Sequence, residues 1–244
     1  MLTSGNLDAN VADAIAYAQF NRQMAFLGVL PMFHALGLMA GFLVPLSLGC
    51  RVIYRARFSP SATLELIVKH KIRVLVAVPT MYALLINCKS AARESLASVL
   101  YAISGSEPLP RALLKKHKAD FAIDMLECFG LTETSPMVSF CLPWAFKPGS
   151  VGRPLPNVEL RMVNEAETPM GPNQDGELWI RGRNVMKGYL NKPVETAAGL
   201  TGDGWFKTGD IACVDDDGFL YITGRKKELI IMAGEKIAPY ATIR

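Results

Sequence analysis

At 244 residues the chain has material for one large domain or two modest ones, with an ample core. Half of its residues are hydrophobic, its mean hydropathy is +0.22, and 26 basic side chains stand against 22 acidic ones. That balance is too even to imply a nucleic-acid partner or an anionic membrane surface, and five cysteines without CxxC spacing read as reduced thiols of a cytoplasmic protein, not as a disulfide framework or a zinc site.

The opening segment carries Asp8, Asn10 and Asp13, and no basic stretch precedes the apolar run that follows, so no signal peptide is read. From Met24 to Cys50 there is no formal charge, a length sufficient to cross a bilayer. Pro31, His34 and Pro45 interrupt it, which favours a buried helix with a polar mouth. A membrane-anchored protein, or peripheral association with a membrane, stays open as the alternative.

Next come alternating strand and helix signals. Strands are expected at Arg51 to Tyr54, Val74 to Val78, Val99 to Ile103 and Ile123 to Glu127, and helices at Ser61 to His70, Pro79 to Asn87 and Pro110 to Ala119. The run Lys115-Lys116-His117-Lys118 reads as a solvated helix face. This alternation predicts an α/β fold, a parallel-type sheet with flanking helices, over residues 1–135. Ligands of such sheets collect at the carboxyl ends of the strands, and both Ser104-Gly105-Ser106 and Cys128 to Glu133 are expected to follow strands there.

After residue 136, prolines at 143, 148, 154, 156, 169 and 172 punctuate short strands at Glu159 to Val163, Glu177 to Arg181 and Phe219 to Thr223. Helix signals almost vanish, and a small distorted β-barrel subdomain is expected over 136–223. Residues 224–244 read as a hinge and the start of a further region.

Phe129 to Glu133 is the most informative stretch. It combines a flat aromatic to stack a purine, a bare glycine where a phosphate can approach the backbone, a hydroxyl to donate to it, and a carboxylate to hold magnesium. An ordinary capping glutamate in Thr-Glu-Thr-Ser is the competing account of Glu133. Asp210 closes a Thr-Gly turn, where a carboxylate can accept from the two adjacent hydroxyls of a ribose, or cap its own backbone.

Seven collinear blocks resemble the adenylate-forming, AMP-binding enzymes, and among them the acyl-CoA synthetases. They are Pro31-Met32-Phe33-His34, Ser104-Gly105-Ser106-Glu107-Pro108-Leu109, Phe129-Gly130-Leu131-Thr132-Glu133, Gly149-Ser150-Val151-Gly152-Arg153-Pro154, Gly176-Glu177-Leu178, Gly204-Trp205-Phe206-Lys207-Thr208-Gly209-Asp210 and Gly224-Arg225-Lys226-Lys227-Glu228. The resemblance covers essentially the whole chain. It implies activation of a carboxylic acid with ATP to an acyl-adenylate, then transfer to coenzyme A, with magnesium as cofactor. A carrier-protein phosphopantetheine as acceptor, or a non-catalytic nucleotide-binding module, are the alternatives.

By the same resemblance Ser104, Gly105, Ser106, Glu107, Cys128, Phe129, Gly130, Leu131, Thr132, Asp210 and Arg225 bind the nucleotide. Glu133 holds magnesium, Thr132 contacts the α-phosphate, and His34 lies by the reacting carboxylate as a partly buried imidazole. Phe33, His34, Leu36, Val78, Pro79 and Thr80 line the acid channel, whose apolar character points to a fatty or aromatic acid over a charged one, with core packing as the competing account of the same residues. Lys227 falls on the hinge about which the family's C-terminal domain turns. Phe129 replaces the usual tyrosine, keeping the stack and losing a hydroxyl, and Cys128 and Ser106 stand where small glycines are frequent.

The family's phosphate loop, ending in Pro-Lys-Gly, is expected just before Met1, and its C-terminal catalytic lysine after Arg244. A chain lacking both is expected to be inactive or slow by itself. An open sheet edge left by absent N-terminal strands is expected to invite self-association.

Overall fold

The computed structural model describes residues 1–228, together with the backbone of two short paired strands, Ile230–Met232 and Glu235–Ile237. Helix α1 (Ser4–Ala18) opens the chain, capped by Thr3, whose hydroxyl accepts from the Asn6 N–H while the Asn6 side chain accepts from the Thr3 N–H. Strands β1 (Ala25–Gly28), β2 (Arg51–Tyr54), β3 (Val74–Ala77), β4 (Tyr101–Ser104), β5 (Met125–Gly130), β6 (Met137–Phe140) and β7 (Arg153–Pro154) form one sheet in the order β2-β1-β3-β4-β5-β6-β7. The pairings from β2 through β5 are all parallel, and β6 and β7 add antiparallel strands at the far side. Helices α4 (Pro60–His70), α5 (Pro79–Ile86) and α6 (Arg111–Phe121) cover one face. Proline at the first turn of α4 and α5 costs nothing, because the missing N–H has no helical partner there. Residues of α1 and of the helix after β1 pack on the other face.

Strands β8 (Val158–Val163), β9 (Gly176–Gly182), β10 (Phe206–Val214) and β11 (Leu220–Arg225) make a separate antiparallel sheet in the order β11-β10-β9-β8. The α/β class with a following antiparallel β-structure is therefore the observed one. Residues 137–140 and 153–154 join the large sheet, and the second sheet begins at Val158.

Several local expectations are corrected. Met24 to Cys50 is not one buried helix: it is β1, a loop, α2 (Ala35–Leu38), a π-helical turn at Met39–Leu43 and α3 (Val44–Leu48). Among the described residues no helix is long and apolar enough to cross a membrane. Pro45 has no N–H for the Gly41 carbonyl one turn earlier, and the Tyr54 hydroxyl of β2 donates to that carbonyl instead, at 2.7 Å. The Thr208-Gly209-Asp210 segment is not a turn between strands. It lies inside β10 at a register shift against β9, with Gly209 at φ +73°, a bulge that glycine accommodates. Helix structure also continues after residue 136, in α7 (Pro193–Gly199).

His117 is not part of a solvated face. Lys115, Lys116 and Lys118 are exposed, while the imidazole is fully buried, edge-on to Tyr82 and Phe121. Its Nδ1 faces the Ile123 carbonyl at 3.2 Å, and burial pulls its pKa down to about 4.

Candidate active site

The carboxyl ends of β1, β3, β4 and β5 share one edge because these strands are parallel neighbours. The expected motifs sit there, although Ser104 is still the last residue of β4, and Cys128 to Gly130 are the end of β5, not a loop after it. Leu131 and a single 3-10 turn, Thr132–Thr134, follow. At this edge Gly105 touches both Cys128 and Leu36: a Cβ built on it would fall 2.4 Å from the Cys128 sulfur and 3.2 Å from a Leu36 methyl. Three of the predicted segments are thereby in contact. The small glycine is required for that approach.

Gly130 is required for a different reason. A Cβ there would lie 2.0 Å from the Pro136 carbonyl oxygen, which accepts from the Leu131 N–H as the chain doubles back. Thr134 is buried in this fold-back, and its hydroxyl donates to the carbonyl of Pro136 at 2.7 Å. Ser106 adopts φ +71°, and Ser106 and Glu107 are exposed beyond the end of β4, whereas Ser104 and Gly105 are buried. Burial pushes the Cys128 thiol up to about 12, so it serves as a small packing group and not as a thiolate.

Thr132 is exposed and Glu133 half-buried. One oxygen of Glu133 accepts from the Tyr189 hydroxyl at 2.9 Å, and burial, followed by this bond, pushes the Tyr189 phenol up to about 12. Among the described residues no three His, Cys, Asp or Glu side chains cluster into a cage for a metal ion. One half-buried carboxylate with hydroxyl neighbours fits magnesium, which is commonly held by one or two carboxylates, phosphate oxygens and water.

The residues expected to line an acid channel occupy the same edge with different exposure. Val78 is the half-buried N-cap of α5, Pro79 is buried and Thr80 exposed. Phe33 is 94 % exposed. His34 is exposed, not partly buried, because its ring is used locally: Nδ1 accepts from the Leu36 N–H at 3.3 Å and caps α2.

Asp210 and Arg225 form a second cluster, on the antiparallel sheet. They are register partners on β10 and β11, and the Arg225 Nε donates to the Asp210 carboxylate at 2.7 Å, with the aspartate 3 % and the arginine 55 % exposed. Lys227 is exposed in the 3-10 turn that follows β11.

Local sequence patterns missed Tyr189 and Asn184, which lie 56 and about 50 positions from the residues they hold. The Asn184 side chain is buried and donates to the Thr134 carbonyl at 2.9 Å. The glycine before Tyr189 was the one available signal, marking a tight backbone without revealing what it packs against.

The model of the AMP-binding enzyme family matches residues 1–190. A long-chain-fatty-acid–CoA ligase of Bacillus subtilis (strain 168) is 37% identical over 243 residues, covering 98% of this chain and 43% of its own length. The 4-coumarate–CoA ligase 3 of Oryza sativa subsp. japonica is 34% identical over 250 residues, covering 98% and 45%. Among solved structures, ATP-bound MatB of Rhodopseudomonas palustris superposes with a TM-score of 0.93 at 31% identity, over 98% of this chain and 47% of that one. O-succinylbenzoate coenzyme A synthetase (MenE) of Bacillus subtilis, in complex with ATP and magnesium ion, gives 0.87 at 32%, over 98% and 49%. The chain thus spans less than half the length of these relatives. It belongs to the AMP-binding enzyme family.

Proposed function

We propose that this chain forms the nucleotide- and acid-facing part of an AMP-forming acid–thiol ligase. The carboxylate of the acid attacks the α-phosphorus of ATP, pyrophosphate departs, and the resulting acyl-adenylate passes its acyl group to the coenzyme A sulfur, releasing AMP. The observation that carries this reading is the convergence of the His34, Ser104 to Glu107 and Cys128 to Glu133 segments on one carboxyl edge, where Gly105 touches Cys128 and Leu36.

In this reading Phe129 stacks on adenine, and Gly130 and Leu131 present backbone to the phosphates. Thr132 donates to the α-phosphate, and Asp210 accepts from the ribose hydroxyls with Arg225 fixing its carboxylate. Glu133 would hold magnesium, which when bound offsets charge as pyrophosphate leaves. His34 lies beside the entering carboxylate, and Phe33, Leu36, Val78, Pro79 and Thr80 border the acyl group. Their apolar surface supports a fatty or aromatic acid over a charged one. Lys227 marks the hinge of a rotating C-terminal part, and 1–135, 136–223 and 224–244 are the corresponding divisions. A cytoplasmic setting agrees with cysteines that stand as free thiols. No Ser/Thr/Gly-rich segment ending in Pro-Lys-Gly occurs in the 244 residues, so acid-dependent ATP–pyrophosphate exchange by this chain alone is expected to be slow or absent.

Calorimetric titration with non-hydrolysable acyl-adenylate analogues of several acyl lengths tests the site directly. The folded chain is expected to bind, and Asp210→Ala to lose two charge-assisted hydrogen bonds, about 3 kcal/mol or roughly 100-fold in affinity. Equal affinity for wild type and Asp210→Ala would remove the ribose role, and a folded wild type that binds no analogue would remove the proposal.

A further inference from the structure

We infer that Tyr189 is a positioning residue for the Glu133 carboxylate, and through it for the magnesium that Glu133 would hold. The inference rests on the reading of Glu133 given above and adds a residue outside the motif.

The loop between β9 and α7 grips the Thr132–Thr134 turn and Ser135 at four points. The Met186 N–H donates to the Glu133 carbonyl at 2.8 Å, and the Asn184 amide to the Thr134 carbonyl at 2.9 Å. The Ser135 hydroxyl donates to the Asn184 carbonyl at 2.8 Å, and the Tyr189 hydroxyl to Glu133 Oε1 at 2.9 Å. Three of these bonds place the main chain. Only Tyr189 reaches the functional oxygen.

Tyr189 is itself held. Its N–H donates to Thr196 Oγ1 at 2.9 Å, and that hydroxyl donates to the Lys192 carbonyl at 2.7 Å. Gly188, at φ +137°, packs so closely on Thr196 that a Cβ would lie 2.6 Å from its methyl. On the other side the Asn6 amide of α1 donates to the carbonyls of Arg183 and Val185, at 2.7 and 2.9 Å. The loop is therefore fixed from α7, which follows it directly, and from α1, far away in sequence.

A glutamate on a half-buried turn has three side-chain torsions and would sample several positions. The phenol, rigid and neutral, pins one oxygen, so the carboxylate does not have to be ordered when magnesium and nucleotide arrive. Outer partners of metal-bound carboxylates change metal affinity about 10-fold or more when removed.

The test uses the 244-residue chain, wild type and Tyr189→Phe, which keeps the ring and removes the donor. Calorimetry measures β,γ-methylene-ATP binding across a magnesium series and AMP binding in chelator, with thermal melts as the folding control. The expected result is a half-saturating magnesium concentration about 10-fold higher in Tyr189→Phe, with AMP affinity and melting temperature unchanged. Glu133→Gln is expected to abolish the magnesium response, and the double variant to be no worse. Thr196→Val, which loosens the Tyr189 backbone, is expected to shift magnesium in the same direction by less. An unchanged magnesium series in Tyr189→Phe overturns the inference alone, as does equal weakening of AMP binding, which a merely structural tyrosine would produce. A folded wild type that binds neither nucleotide overturns the reading of the site, and this inference with it.

Discussion

The two sheets of this molecule handle polarity in opposite ways. The large sheet and its helices bury their polar side chains uncharged: Asn10, Ser104, Ser139 and His117 are all interior. Its proposed ligand-facing groups, from Phe33 and His34 to Ser106, Glu107 and Thr132, stand at the strand ends, mostly in solvent. The antiparallel sheet is tied by charge instead. Asp210 meets Arg225, Lys226 meets Glu177, and Arg181 meets Glu159, while Lys147 reaches Asp215. The guanidinium groups of Arg161 and Arg181 both lie over the Trp205 ring, 4.0 and 4.6 Å from its centre. A sheet that offers open loop ends to a ligand thus sits beside one that fixes side chains through its own ion pairs.

Acid should separate the two halves, and this is the largest effect expected. Buried His117 titrates near 4 in the folded chain against 6.5 for a free imidazole, so the unfolded state takes up the proton first. Its neutral form supports the fold fully above pH 6.5, and stability falls as pH drops from 6.5 towards 4, by on the order of 3 kcal/mol in total. Asp215 behaves differently. Burial pushes its carboxyl up, but the Lys147 ammonium and hydrogen bonds from the Phe219 N–H and the Tyr221 hydroxyl outweigh that and hold it below the usual range. Its contribution is present above pH 3.8 and is lost only below that. Amide hydrogen exchange at pH 7 and pH 5 is expected to show β3, β4 and α6 losing protection while β10 and β11 keep theirs. Replacing His117 with Gln should flatten the pH dependence, and a uniform loss across both sheets would break the contrast.

Gly130→Ala tests the strand-end architecture at a smaller scale. Its methyl would meet the Pro136 carbonyl, a backbone atom that cannot swing away, and overpacking of this kind costs about 2 kcal/mol. A lower denaturant midpoint with an unchanged slope is the expected result. Phe33→Ala should do least. A ring 94 % exposed supports little of the fold, so the melting temperature is expected to stay where it is. Affinity for long acyl-adenylate analogues should fall relative to short ones. A lower melting temperature would assign Phe33 to packing and not to the acid channel.

Much of the large sheet was legible in the sequence. Ser59-Pro60 and Pro79-Thr80 marked two helix starts, and the β-branched run at 74–78 marked a strand, because proline and branching act locally. Met24 to Cys50 was not legible. A fully buried strand and an apolar helix offer the same unbroken hydrophobic text, and periodicity cannot part them. Strand β10 was missed because Gly209 looks like a turn when its partner strands are out of view. The seven collinear blocks revealed the strand-end segments, but not exposure: His34 looked partly buried because its neighbours are apolar, and the structure turns it outward to cap a helix. The Tyr189 contact to Glu133 had no local signature at all.

The π-helical turn at Met39–Leu43 has a further consequence. Such a turn amounts to one extra residue within a helix, and each residue rotates an α-helix by about 100°. Residues 35–38, just after Phe33 and His34, are therefore out of phase with residues 44–48, and the Tyr54 hydroxyl of β2 holds the turn between them at Gly41. Deleting a single codon between 39 and 43 would restore the ordinary winding and turn a different set of side chains towards the large sheet. A one-residue indel, and not a gradual exchange of side chains, is then the shortest route by which a chain like this could re-face the helical segment that follows β1.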